Sequence, residues 1–390
     1  MAGALEGVKV IEFSSYITGP FAGMLLADMG AEVIKVEAPP HGDPFRGTGK
    51  ALTPIFCSIN RSKKSVALNL KTPEGRDAFL RLADDAAVVI QNHRPGYVDH
   101  LGIGYEAVSA RNPSIVYCSI SGFGEDGPYR DLPGYDVIGM SMGGLQSVLT
   151  DVTNPKPAEI SFGDHLTGVF ANYGILSALY RRATTGQGQR VDTSLLQSMV
   201  AFMGDTVAGY SATGKLPEVD GRGGRTRQAH CFLGNDGLPF SIHLSSPLKF
   251  FTGLMEAIGK PELADDPRFL DREPRAQNYD LLHDICQEVF ATDTRDHWVQ
   301  RLRECGVPSG PLNTIPEVLE DPQVKNWGLP IKINRPGGDT VSITGSTVQL
   351  SETPPTFGDP PLLGEHNEEV FKSLGYSDTE IAALAGQLTV

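Results

Sequence analysis

Along the first 120 residues, apolar positions follow two alternating periods. Residues 8–13 (VKVIEF) form a short run of β-branched and aromatic side chains, which predicts a strand. Residues 20–29 follow, with Phe21, Met24, Leu25 and Met29 at helical spacing and Pro20 suited to a first helical turn. Gly30 suits the stop of that helix, and residues 32–36 (EVIKV) predict the next strand. Residues 72–84 repeat the helical pattern, with Thr72 as N-cap and Pro73 directly after it. Residues 88–91 and 115–120 predict two more strands. Strands alternating with helices imply right-handed crossovers and an α/β fold built on a doubly wound, largely parallel sheet.

The clearest amphipathic pattern is residues 164–182, where Leu166, Phe170, Tyr173, Leu176 and Tyr180 fall on one stripe. Residues 188–193 predict a turn and strand, and residues 193–203 another helix. Residues 211–228 are rich in Gly and poor in apolar side chains, the composition of a linker or loop. Beyond them the character changes. Residues 261–300 hold ten acidic side chains against four Arg, on segments with apolar stripes such as Leu281, Ile285 and Val289. This predicts a second, smaller α-rich domain. Residues 328–363 are punctuated by Pro and Gly, and residues 364–385 look helical again.

Composition narrows the class. With 390 residues, 40% hydrophobic and 21% charged, the chain is neither a coiled coil, collagen-like nor wholly disordered. No apolar stretch is long enough to span a bilayer, and the N-terminus lacks a basic segment followed by an apolar one, so a cytoplasmic protein is expected. The five cysteines are scattered without a CxxC pair, and no HExxH, P-loop or paired metal-ligand spacing occurs, so no metal is expected. A net charge of −14 opposes nucleic acid and anionic membrane as partners. The charge is uneven, however. Residues 46–76 carry seven cationic side chains (Arg46, Lys50, Arg61, Lys63, Lys64, Lys71 and Arg76) against one acid, Glu74. Lying between strands of a doubly wound sheet, this island predicts a phosphate-binding region.

Three motifs carry possible chemistry. GFGEDG at residues 122–127 is a literal GxGxxG after a predicted strand. A dinucleotide site needs a helix immediately afterwards, and Pro128, Pro133 and Gly134 follow instead, so NAD is not expected. GMSMG at residues 139–143 matches the nucleophile elbow of α/β-hydrolases, with Ser141 as nucleophile, if residues 135–138 form a strand and a helix follows. The third is GDHLTG at residues 163–168. Asp164 there is a candidate helix N-cap. Most such residues only cap, but the position also suits a nucleophile toward an acyl group, because helix N–H groups would keep its carboxylate ionised and Gly163 and Gly168 would leave room for substrate. His165 beside it reads more simply as a helix-end histidine than as a base.

Five blocks in order resemble the class III CoA-transferases, the family that also contains the 2-methylacyl-CoA racemases. They are LEGVKVIEF from residue 5 with GAEVIKVE from residue 30; NRSKKSVALNLKTPEG from 60; QNHRPG from 91; SGFGEDGPY from 121 with GYD from 134; and DHLTG from 164 with GQGQRVD from 186. Residues 224–385 match more loosely. The resemblance implies a Rossmann-like large domain built from both chain ends (residues 1–210 and 340–390), a small domain between them (residues 225–325), and an interlocked homodimer. It implies an acyl-CoA donor, a carboxylic acid acceptor and Asp164 as nucleophile, with acyl-aspartyl anhydride and aspartyl-CoA thioester intermediates. Coenzyme A contacts carry over to Asn92 and Arg94, to Arg61, Lys63, Lys64, Leu70 and Lys71 on the adenosine and phosphate side, and to Ser121, Gly122, Phe123 and Gly124 along the pantetheine. Tyr135 and Ser15 fall at the acyl pocket. The glycine-rich covering loop corresponds to residues 221–224. Ala38 and His100 depart from the family, many members having Arg at both positions. Racemase relatives carry His where this chain has Tyr135, a poor base at neutral pH, which favours transfer over racemisation.

Overall fold

A computed structural model describes residues 3–47, 52–157, 160–216, 228–244, 248–336 and 339–386. They cluster into two compact units, one formed by residues 1–216 with 326–390 and the other by residues 217–325.

The first unit is built on six strands: β1 (Lys9–Phe13), β2 (Glu32–Glu37), β3 (Lys64–Ala67), β4 (Val88–Gln91), β5 (Val116–Ser121) and β6 (Gln189–Ser194). All pair in parallel, in the order β3-β2-β1-β4-β5-β6. Strands β1, β2, β4 and β5 send apolar side chains to both faces, as a sheet covered on both sides requires. Ile11, Phe13, Ile34, Val36 and Val66 point into one core with Phe79, Leu82 and Phe371. Val10, Val33, Val88, Ile90 and Val116 point into the other, with Ala22, Leu26, Ala171 and Ile175. The C-terminal segment belongs to this unit. Phe371, in helix Asn367–Ser373, is fully buried in the first core, and Asn367 bonds the edge of β3 by accepting from the Ala67 N–H at 2.8 Å.

Local signals placed several elements. Thr72 caps helix Pro73–Asp84 by accepting from the Gly75 N–H at 3.1 Å. The first helix runs Thr18–Asp28, starting two residues before Pro20. Two expectations are corrected. Residues 135–138 are not a strand: Asp136–Met142 is a helix with Ser141 inside it, so the strand-turn-helix of a nucleophile elbow is absent there. The long helix is Phe162–Thr185, and its apolar stripe does not face the core. Its buried side carries Gly168, Ala171, Asn172, Ile175 and Ala178, whereas Tyr173 and Tyr180 are 73% and 74% exposed. Small side chains won the inner face because this helix lies tightly on helix Thr18–Asp28. A Cβ on Gly168 would come within 2.8 Å of Phe21 Cδ1 and 3.1 Å of the Thr18 carbonyl oxygen.

The second unit is a three-stranded antiparallel sheet, β7 (Ala229–Leu233), β8 (Pro239–His243) and β9 (Ser309–Pro311), with helices including Leu248–Ala257, Tyr279–Phe290 and Arg295–Glu304. Its core gathers Phe232, Phe240, Phe251, Phe269, Phe290 and Trp298. In the first unit, β10 (Ile331–Arg335) and β11 (Asp339–Ile343) form an antiparallel hairpin against Leu52 and Phe56. No helix among the described residues is long and apolar enough to cross a membrane.

Candidate active site

The strand order reverses its direction of growth between β1 and β4, and doubly wound sheets bind ligands at the carboxyl ends of the strands at that point. Three segments leave the sheet there: residues 14–17 after β1, residues 92–95 after β4, and Ser121 with Gly122 at the end of β5. Tyr16 from the first, residues 92–95 from the second, and Ser121 with Gly122 line a cleft of about 220 Å³ together with Thr18, residues 132–135, Asp164 and Leu195. Asn92 ties the first two segments together. Its Oδ1 accepts from the Ser15 N–H at 3.0 Å and its Nδ2 donates to the Ser15 carbonyl at 2.7 Å. Between them Tyr16 takes φ +64°, the left-handed region that a bulky side chain rarely adopts. Such strain costs of order 1–3 kcal/mol and survives only where surroundings over-determine it. It turns the ring into the cleft wall, edge-on to Tyr135 at 6.2 Å and to Phe45 at 5.5 Å.

Asp164 enters from the long helix. It is the third residue of Phe162–Thr185 rather than its N-cap, which is Ser161. Its own N–H donates to Asp136 Oδ1 at 2.9 Å, so its carboxylate is free of capping duty. Thr18 Oγ1 donates to Asp164 Oδ1 at 2.5 Å. The contact through Gly168 brings these two helices close enough for that bond. The space expected at Gly163 and Gly168 is therefore filled, by Asp136 and by Phe21 with Thr18 respectively. Nor does the helix N-terminus hold the carboxyl low. Burial pushes it up to about 6, the Thr18 hydroxyl opposes the rise, Asp136 adds to it and His165 slightly relieves it. At neutral pH the group is still mainly ionised, and its charge is poorly solvated. His165 turns away, edge-on to Phe21 at 4.7 Å with Nδ1 2.7 Å from the Ser161 carbonyl.

The residues expected at the site divide into two groups. Asn92, Arg94, Ser121, Gly122, Tyr135 and Asp164 line the cleft, and Ser15 stands behind Asn92. Phe123 and Gly124 continue the loop, with the Gly124 N–H held by Ser121 Oγ at 2.9 Å. Arg94 is exposed at the cleft. The basic island lies elsewhere, and the expectation of a free phosphate-binding patch is corrected for its buried members. Arg61 is buried and pairs with Asp28 through Nε at 2.9 Å and a terminal nitrogen at 2.5 Å. Lys63 is fully buried against Glu12 at 2.7 Å. Arg46 forks onto Glu37 at 2.7 and 2.5 Å. Lys64 spans Glu32 and Glu369 at 2.6 and 2.7 Å. Leu70 is a core side chain, and Lys71 is exposed. Ala38 and His100 are exposed; Lys50 and the loop at residues 221–224 lie outside the described residues.

Sequence reasoning missed His93 and Leu195 as lining residues. His93 packs on Phe13 at 4.2 Å and Tyr97 at 4.9 Å, and burial lowers its pKa to about 4, so its imidazole is neutral. Among the described residues no group of three His, Cys, Asp or Glu is placed to hold a metal ion.

The profile of CoA-transferase family III matches residues 5–367. The succinyl-CoA–D-citramalate CoA-transferase of Chloroflexus aurantiacus is 36% identical over 99% of this chain and 98% of its own length. The succinyl-CoA:glutarate CoA-transferase of Mus musculus is 34% identical over 97% of this chain and 88% of its own. The crystal structure of a CaiB/BaiF family protein from Brucella suis superposes with a TM-score of 0.85 at 33% identity, covering 96% of this chain and 100% of that one.

Proposed function

The chain belongs to CoA-transferase family III, and from that premise we propose that it moves coenzyme A from an acyl-CoA donor to a carboxylic acid acceptor, with Asp164 as nucleophile. The observation that carries the reading is the Asp164 carboxylate in the switch-point cleft, hydrogen-bonded by Thr18 and held near pKa 6 by burial. It is ionised enough to attack and basic enough to be a better nucleophile than a solvated carboxylate.

The sequence of bonds follows. An Asp164 oxygen attacks the donor thioester carbonyl, the C–S bond breaks, and an acyl-aspartyl anhydride and CoA thiolate form. The thiolate attacks the aspartyl carbonyl of the anhydride, releasing the donor acid and leaving an aspartyl-CoA thioester. The acceptor carboxylate attacks that thioester and expels the thiolate again. The thiolate then attacks the acceptor's carbonyl, giving the new acyl-CoA and regenerating the Asp164 carboxylate. No proton need be moved in any step, which accords with a site whose imidazoles are turned away or neutral. The Thr18 hydroxyl can bond an Asp164 oxygen throughout. On this reading Arg94 meets CoA phosphate, and residues 121–124 run along the pantetheine. Tyr16 and Tyr135 flank the acyl group. The α-proton transfer of a racemase would need a second base opposite Asp164, and His93, with its pKa near 4, is a weak one.

The relatives named above put succinyl-CoA first among donors and dicarboxylic acids first among acceptors. We also infer a homodimer. Helix Gly204–Thr213 buries none of its side chains within one chain and exposes Val207 and Tyr210, and the long helix exposes Tyr173, Leu176 and Tyr180. The function is tested by offering the enzyme succinyl-CoA with a panel of mono- and dicarboxylic acids and following new acyl-CoA by mass spectrometry. Transfer in the wild type and its loss in Asp164→Ala are expected; full activity in the variant would overturn the assignment.

A further inference from the structure

The segment that delivers Thr18 to Asp164 is residues 14–20, the loop after β1 and the first residues of helix Thr18–Asp28, and it is held from beneath by charges with no access to solvent. Glu12, Lys35, Asp43 and Lys63 have side chains 0% exposed. Lys35 is the β-sheet neighbour of Glu12 across β1 and β2. Each ammonium donates two hydrogen bonds and lies in ion-pair contact with one further carboxylate oxygen. Lys35 Nζ meets Glu12 Oε1 at 2.9 Å, Asp43 Oδ2 at 3.0 Å and the Ser14 carbonyl at 2.9 Å. Lys63 Nζ meets Glu12 Oε2 at 2.7 Å, Asn60 Oδ1 at 2.9 Å and the Pro20 carbonyl at 2.7 Å. Glu12 is thus bridged between the two lysines, and each lysine spends one proton on a main-chain carbonyl at one end of the same segment. Ser14 Oγ adds a bond to Glu12 Oε1 at 2.9 Å. Helix Thr18–Asp28 lies directly on the carboxylate: a Cβ on Gly23 would sit 2.1 Å from Glu12 Oε2.

Burying four charges is a poor way to gain stability, since apolar side chains of similar volume commonly do as well. What the ions supply here is direction. They fix two carbonyls on either side of the strained Tyr16 and the Thr18 hydroxyl.

We propose that Lys35 and Lys63, bridged by Glu12, are positioning residues that clamp residues 14–20 and so set the Thr18 hydroxyl on the Asp164 carboxylate; the proposal rests on the transferase reading above. Both ammonium groups are shut off from solvent and paired inside the protein, so neither is presented to a CoA phosphate.

The test is Lys63→Met, alone and combined with Thr18→Val. Because the clamp acts through the Thr18 bond, Lys63→Met lowers kcat at pH 7 by up to the roughly two- to tenfold that losing the hydroxyl itself costs. The KM for the acyl-CoA donor stays within about twofold, because no ligand contact is lost. In the Thr18→Val background the same substitution leaves kcat nearly unchanged, because the bond it acts through is already gone. A tenfold rise in KM with kcat intact would make Lys63 a phosphate ligand and overturn the proposal, as would full multiplicativity of the two kcat effects. If Lys63→Met does not fold, Ser14→Ala and Asn60→Ala each remove one contact of the network, and the same cycle with Thr18→Val decides.

A second readout does not use catalysis. The Asp164 carboxyl is titrated by carbon NMR of labelled aspartate in wild type and Lys63→Met. The charged groups that act on Asp164 are Asp136 and His165, whereas those facing Lys63 are Glu12, Lys35 and Asp43. Losing the lysine therefore reaches Asp164 through the loop rather than through its field, and the midpoint is expected to rise; an unmoved midpoint contradicts the clamp. Should Asp164→Asn stay active while the midpoint in Lys63→Met rises, the transferase reading fails and the clamp stands.

Discussion

Thr18→Val isolates one hydrogen bond. Valine keeps the shape of threonine and removes only the hydroxyl that donates to Asp164 Oδ1. A hydrogen bond to an ionised group contributes about 1.5–3 kcal/mol. At about 1.4 kcal/mol per pKa unit, its loss lifts Asp164 from about 6 to between about 7 and 8. The sign is fixed because the bond stabilises the carboxylate, and only the carboxylate attacks the thioester. At pH 7 the ionised fraction falls from roughly nine-tenths to between about one-half and one-tenth. The expected kcat at pH 7 is therefore about two- to tenfold lower, and most of it returns by pH 9. The assay is kcat for CoA transfer from pH 5 to 9 at saturating donor and acceptor, wild type beside variant. An acid limb that keeps its midpoint while the plateau drops would mean that Thr18 shapes the site without tuning Asp164, and would refute the reasoning.

Other outcomes follow from the same geometry. Because the folded pKa of Asp164 lies above its ordinary 3.8, the folded protein binds this proton more tightly; the group's contribution to stability declines as pH rises from about 4 to 6 and stays lost above that. Asp164→Asn is thus expected to raise the melting temperature at pH 8, by at most about 3 kcal/mol of stability, while abolishing transfer; a lower melting temperature would contradict a desolvated carboxylate. Arg61→Met strands Asp28 in the interior and is expected to cost about 3–5 kcal/mol in denaturant unfolding with donor KM unchanged. Arg94→Ala is expected to do the reverse, raising donor KM about tenfold, or 1.4 kcal/mol, with little change in unfolding. Tyr173→Glu combined with Tyr180→Glu places charge on the exposed apolar stripe and is expected to yield monomers in analytical ultracentrifugation; an unchanged sedimentation profile would separate that stripe from the dimer contact.

Much of the sheet was legible because its strands are short, β-branched and bounded by capping residues. Residues 88–91 were placed to the residue, and Thr72 capped where its side chain predicts. The long helix shows where pattern misleads. Its large apolar side chains formed the obvious stripe, yet Gly168 and Ala171 make the intramolecular contact, because two helices that must meet closely need small residues between them. Charge misled for a related reason. Counted along residues 46–76, the cations look unbalanced. In space four of them, Arg46, Arg61, Lys63 and Lys64, meet Glu12, Asp28, Glu32, Glu37 and Glu369, acids from other strands, helices and the far end of the chain. No window along the sequence can see a partner hundreds of residues away. Asp164 was singled out correctly as a carboxylate at a helix start. Its bond to Thr18 was not legible, because a threonine entering a helix looks like any other until the fold brings it across.

The central claim is that Asp164 becomes covalently acylated. Enzyme incubated with succinyl-CoA and no acceptor, then treated with hydroxylamine or borohydride, digested and sequenced by mass spectrometry, tests it directly. A hydroxamate or a reduced side chain at Asp164, absent without succinyl-CoA and absent in Asp164→Ala, is the predicted result. An unmodified Asp164 in enzyme that is turning over, or an adduct on another residue, would contradict it.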